Sequence, residues 1–261
     1  MSRRRPSLAV VIPAALGVAL VGLPLLGLLQ RAAWSSLAHD LTSDASLDAL
    51  RLSLATSIAA TAVALALGLP LAWVLARTDL PGRSVLRALV LLPMVLPPVV
   101  GGVALLSAFS LRSPLGGWLH DAVGIQLTFS PAGVVLAEAF VALPFFVLTV
   151  EAALRQADDR YEQVAATLGA SPTTTFRRVT VPTIAPALIA GAVLAWARAL
   201  GEFGATITFA GNVAGRTRTL PLAVYLSLES DPDAAIALSL VLLAVSFVVL
   251  VGLRDRWMGR S

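Results

Sequence analysis

The chain has 261 residues, of which 57% are hydrophobic and 13% charged, with a mean hydropathy of +0.86. So little polar surface cannot clothe an ordinary soluble domain, and the composition is that of an integral membrane protein. The formal net charge is +4 with no Lys and no Cys, which excludes a P-loop with its phosphate-binding lysine, disulfides and thiolate sites.

Arg3, Arg4 and Arg5 precede the apolar run Leu8 to Leu29. A secretory signal has such a basic start, but its apolar core is only about 7–15 residues. This run is long enough to cross the hydrocarbon and is expected to be a retained span, residues 8–30. Arg31 to Arg51 is a more polar loop carrying His39, Asp40, Asp44 and Asp48, and Leu52 to Ala76 is the second span. Arg77 to Arg87 is a short basic loop with a turn at Pro81–Gly82. Ala88 to Phe109 is the third span, interrupted by Pro93, Pro97 and Pro98. Proline removes helix hydrogen bonds, so this span is expected to be kinked or broken and covered by protein. Leu111 to Ser130 is a polar loop. Pro131 to Leu154, Pro182 to Phe203 and Ala234 to Leu253 are the fourth, fifth and sixth spans. The expectation is an all-α integral membrane protein of about six transmembrane helices. It forms one domain, 1–261, with its core at 52–253 and a cytoplasmic loop at 155–182.

The positive-inside rule tests this layout. With the N-terminus inside, Arg3, Arg4, Arg5, Arg77, Arg83, Arg87, Arg155, Arg160, Arg177, Arg178, Arg254, Arg256 and Arg260 fall on the inner side. Arg31, Arg51, Arg112, Arg216 and Arg218 fall outside, and Arg198 lies within a span. Both termini and the 155–182 loop are therefore expected in the cytoplasm. The same distribution accounts for the basic balance without nucleic acid, so the bilayer is the expected partner of these charges. His39 and His120 lie in different loops and are expected to be solvated, and no metal or cofactor site is expected.

Tyr161 to Pro182, YEQVAATLGASPTTTFRRVTVP, is the longest polar segment between two apolar ones. Tyr161, Val164, Ala165 and Leu168 recur at i, i+3, i+4 and i+7, an apolar stripe on a helix. Glu162 and Gln163 lie at its start and polar side, where a carboxylate suits the helix dipole. Gly169 ends that helix. After Ala170, Ser171 as N-cap and Pro172 at the first helical position start a second one, with Phe176 as apolar anchor and Arg177 and Arg178 near its end. From the residues alone, this helix–hinge–helix is either an amphipathic pair resting on the membrane surface or a docking surface.

The segment resembles the cytoplasmic EAA loop of ABC-importer permeases, in which Glu-Ala-Ala is followed by Gly, and later by a hydrophobic residue, any residue, Leu and Pro. Gly169, Val179, Val181 and Pro182 match. Gln163 and Val164 stand where Glu and Ala are usual, Ala165 fills the second alanine position, and Glu162 comes one place early. The resemblance implies that the two short helices are a coupling helix, docking on a separate ATPase subunit.

In the fifth span Ala187, Gly191, Ala195 and Ala199 recur every four residues, a small-residue seam that permits close helix packing within one subunit or between two. The span ends in Arg198 and Glu202, i and i+4, which can pair on one face. Charges at such depth must face protein or a wet cavity. Fastening of helices and a gating role both fit these two residues. Thr206 follows in the same run. Gly215 to Pro221 brings Arg216 and Arg218 among hydroxyls on the outer side, donors that suit an oxyanion or a solvated turn. Glu138 has no obvious partner, and Glu151 is expected to be a solvated or interfacial carboxylate.

The runs LLPMVLPPVVGG, ARALGEFGATITFAGN and GRTRTLPLAVY look like molybdate ABC-transporter permeases. Sulfate and thiosulfate permeases share RALGEFGA and a TLPL run. The resemblance implies a homodimeric permease in a prokaryotic plasma membrane, served by ATPase subunits and an extracytoplasmic oxyanion-binding protein. Sulfate, thiosulfate or tungstate is the alternative substrate. An intramembrane enzyme would need clustered catalytic groups, and an autonomous secondary transporter often shows inverted repeats. The sequence displays neither.

Overall fold

The computed structural model describes residues 7–257. Arg3, Arg4, Arg5 and Arg260 lie outside the described residues, as do the side chains of Arg254 and Arg256. In chain order the helices are α1 (Leu8–Gln30), α2 (Leu37–Thr42), α3 (Asp44–Arg77), α4 (Arg83–Val95), α5 (Pro98–Phe109), α6 (Pro114–Val123), α7 (Pro131–Gln156) and α8 (Arg160–Thr167). Then come α9 (Pro172–Thr175), a π-helical segment (Phe176–Thr180), α10 (Val181–Thr183), α11 (Ala185–Leu200), α12 (Gly204–Phe209), α13 (Leu220–Ser230) and α14 (Pro232–Trp257). Among the described residues four helices are long and apolar enough to cross a membrane, and six spans result if each of two bent pairs counts as one.

The core is built around α7, on which α3, α4, α11 and α12 all pack. Small residues make this possible. On α3 a stripe of Ala49, Ser53, Thr56, Ala60, Ala64, Gly68 and Ala72 is buried, so its backbone comes close to α7. On α11 Gly191, Ala195 and Ala199 are buried and Ala187 half-buried. A Cβ on Gly191 would lie 3.1 Å from the Phe146 ring of α7. This seam therefore packs inside the chain. One on Gly68 would lie 2.7 Å from the other edge of the same ring, so Phe146 is held between two glycines. By contrast α1 buries none of its residues.

Several boundaries differ from expectation. The second span begins not at Leu52 but at Asp44, where Ser43 caps the helix by accepting from Ser46 N at 3.3 Å. At 1.5 Å per residue α3 is about 51 Å long, well beyond the ~30 Å hydrocarbon, so its polar first turns project from the membrane. The third span is broken, as its prolines predict, with a bend of 117° between α4 and α5. The break falls at Leu96–Pro97, while Pro93 sits inside α4. The pair still runs the length of α7, because Arg87 of α4 meets Glu151 while Leu105 of α5 clusters with Ala137 and Val141.

Residues 204–233 depart most. They were expected to be the outer connection between two spans, yet α12 packs on α5 and α7 while α13 packs on α3 and α14. Phe209, Leu220 and Leu222 are fully buried. Gly211 and Gly215, both at positive φ (74° and 68°), turn the chain between these short helices.

Candidate functional site

Three places hold the residues singled out from sequence. The first is the loop joining α7 to α11. Tyr161, Val164 and Leu168 are 63%, 58% and 83% exposed, while Ala165 is half-buried; the stripe faces away from the chain's own core. Gly169 has φ +81° and no neighbour within reach of a Cβ, so backbone conformation alone demands glycine there. Its N–H, and that of Ala170, close the end of α8 on Ala166 and Ala165 carbonyls. Ser171 Oγ accepts from Thr174 N at 3.3 Å and Pro172 follows at the first helical position. Phe176 sits edge-on to Trp73 of α3, with ring centroids 6.5 Å apart. Gln163 is exposed, whereas Glu162 turns inward and accepts from Thr180 Oγ1 at 2.9 Å.

The second place lies between the spans. Arg198 Nη2 and Glu202 Oε2 meet at 2.6 Å. Glu202 is 1% exposed, and its other oxygen accepts from Ala205 N at 2.8 Å, capping α12. Arg198 keeps 27% of its side chain exposed. Facing them is Glu138 of α7, buried and within 3.0 Å of Thr56 Oγ1 on α3. The Glu138 and Glu202 carboxylates are close enough to repel each other. A buried carboxylate paired with the arginine thus lies near a second buried carboxylate that has only a hydroxyl partner, a costly arrangement. Thr206 is fully buried, and among the described residues its hydroxyl has no hydrogen-bond partner, nor does Glu138 Oε2. The runs LLPMVLPPVVGG and RALGEFGAT also come into direct contact. A Cβ on Gly204 would lie 2.7 Å from Pro98, and one on Gly102 would lie 2.9 Å from the Ala205 carbonyl.

The third place is a cavity of about 820 Å³ where α2 and the start of α3 meet α13 and α14. Arg218 lines it with His39, Asp40, Glu229 and Asp231. Arg218 is half-buried and donates from Nε to Asn212 Oδ1 at 3.0 Å, while Arg216 is exposed. Three carboxylates outnumber the arginine on this wall, which does not favour an oxyanion inside the cavity itself. Neither Arg198 nor Glu202 lines it, so the structure leaves the five pathway candidates in two separate neighbourhoods.

Residues 64–260 match the family model of the binding-protein-dependent transport system inner membrane component. The chain belongs to this family. It is 50% identical over 249 residues to the molybdenum transport system permease protein ModB of Mycobacterium tuberculosis, covering 95% of this chain and 93% of that one. It is 41% identical to the ModB of Escherichia coli K12, covering 72% and 82% of the two chains, and 42% identical to the E. coli sulfate transport system permease protein CysT, covering 69% and 65%. The crystal structure of a bacterial ABC transporter involved in alginate import shares the fold with a TM-score of 0.77 at 16% identity, over 96% of this chain and 94% of that one. Among the candidate readings, an integral membrane component of a transport system, rather than an enzyme, is therefore the class of this permease.

Sequence reasoning missed two groups of residues. Glu138 was given no role, although a carboxylate within a span is a functional candidate by default. Glu151, expected at a wet interface, has a side chain only 4% exposed. It pairs with Arg87 and, at 2.9 Å, with Arg155. The i, i+4 spacing of Glu151 and Arg155 was the available signal.

Proposed function

We propose that this permease is the transmembrane subunit of an ATP-driven molybdate importer. One transmembrane domain, 1–261, works as a homodimer with two ATPase subunits and an outer oxyanion-binding protein. Both termini and the 155–182 loop are cytoplasmic. The loop is the coupling element: an apolar stripe turned away from its own protein calls for an apolar groove on a partner. That exposed stripe of Tyr161, Val164 and Leu168 carries the proposal. Closure of the ATPases moves the loops, and α11 and its neighbours rock the pathway open to the outside. Arg198 and Glu202 fasten the gate, Thr206 lies beside it, and the exposed Arg216 attracts the oxyanion at the outer mouth, with Arg218 beside it held on Asn212. Molybdate is favoured over sulfate because the molybdenum permease of Mycobacterium tuberculosis is 50% identical over 95% of the chain, against 42% over 69% for the E. coli sulfate permease.

The test is retention of the ATPase subunit by the detergent-extracted complex, together with its hydrolysis rate. Leu168→Glu places a charge on the stripe without touching the fold, since Leu168 is 83% exposed. Gly169→Pro forces φ away from +81° and re-aims the stripe. Each is expected to weaken retention at least about tenfold, the loss typical of a central interface residue. Normal retention and hydrolysis in both variants contradict docking and place α8 on lipid.

A further inference from the structure

Arg77, the last residue of α3, lies at a junction that the loop's docking stripe does not include. Its Nη1 pairs with the Asp159 carboxylate, and its Nη2 donates to the Ala157 carbonyl at 3.4 Å and stands 3.6 Å from Glu162 Oε1. That same Glu162 oxygen accepts from Thr180 Oγ1 at 2.9 Å. The Arg77 side chain is 13% exposed and Thr180 is buried. Ala157 and Asp159 join α7 to α8, Glu162 is in the first turn of α8, and Thr180 ends the π segment leading into α11. One guanidinium thus ties the ends of α3 and α7 to both halves of the loop. A further tie is apolar, Phe176 against Trp73, and it too lands on α3.

We infer that Arg77 is the positioning residue that transmits movement of the loop into the spans, acting through Glu162 and Thr180; this rests on the loop being the ATPase-coupling element. The electrostatics favour the role. A planar guanidinium holds several acceptors in fixed directions at once, and at low exposure its pairs are less screened than surface ones. Tyr161, Val164 and Leu168 are exposed on α8 while Glu162 turns inward, so docking and transmission use opposite faces of one short helix. Removing Arg77 frees the loop to move with the ATPase while α3 and α11 stay behind. The outcome is hydrolysis without transport.

The experiment uses the complete complex in proteoliposomes, with molybdate as probe, and measures ATPase retention, ATP hydrolysis and uptake in the same preparations. Arg77→Gln is expected to keep ATPase retention and hydrolysis and to lower uptake per ATP by about tenfold, within the range for residues on a coupling route. Glu162→Gln and Thr180→Val are expected to lower the same ratio, and Arg77→Gln with Glu162→Gln to lose less than the sum of the two. Arg77→Lys restores charge and is expected to recover part of the ratio. Thr180→Val, nearly isosteric, carries the test if Arg77→Gln fails to assemble. An unchanged uptake-to-hydrolysis ratio in assembled variants overturns the inference, as does a parallel fall of retention, hydrolysis and uptake. Failure of the unmodified chain to retain any ATPase overturns the coupling reading itself, which separates the two.

Discussion

Glu202→Gln is expected to cost the complex about 3 kcal/mol of stability, the lower end for breaking a buried ion pair, because Arg198 keeps contact with water. The loss has two sources. Arg198 is left without its 2.6 Å partner, and α12 loses the charged oxygen that caps Ala205 N. Arg198→Gln leaves the buried Glu202 carboxylate without its cation and is expected to be at least as damaging. The double change to Gln is expected to recover part of the lost assembly. A double-mutant cycle scored on assembly and on uptake checks this. Recovery of both marks the pair as a fastener, recovery of assembly alone marks a direct part in transport, and additive losses in both contradict the pairing.

Gly191→Leu is expected to destabilise the subunit by about 3 kcal/mol, the upper range for overpacking a core. Even a Cβ at this position would lie 3.1 Å from the Phe146 ring, which has Gly68 at its other edge and cannot retreat. Shortening the obstacle makes the test specific: Gly191→Leu combined with Phe146→Ala is expected to regain part of the stability. Thermal unfolding of the purified subunit measures both. A Gly191→Leu protein that melts like the unmodified one contradicts the packing described here.

The parts legible in the sequence were those with local causes. Ser171 before Pro172, Gly169 after Leu168 and the prolines at 97 and 98 each act within a turn of the chain, and each lies where its chemistry requires. The 204–233 region was not legible in this way. Its apolar runs are too short for a span and its glycines resemble loop punctuation, so only the packing of α12 on α5 and α7 and of α13 on α3 and α14 reveals that it belongs inside. The Glu138 site was illegible for a different reason. Its hydrogen-bond partner Thr56 lies 82 residues away, and no periodicity connects them. At the loop, the resemblance to the EAA pattern set Glu162 one place from the usual acidic position, but the consequence appears only in three dimensions: Glu162 faces Arg77 and Thr180, while Gln163 faces out.

Oxyanion import by this permease is read out by uptake. The chain is reconstituted in vesicles with its ATPase, the outer binding protein is added, and ATP is supplied at the cytoplasmic face. ATP-dependent accumulation of molybdate is expected, suppressed by excess tungstate and little affected by the same excess of sulfate. Accumulation of sulfate in place of molybdate, or uptake that proceeds without ATP, contradicts it.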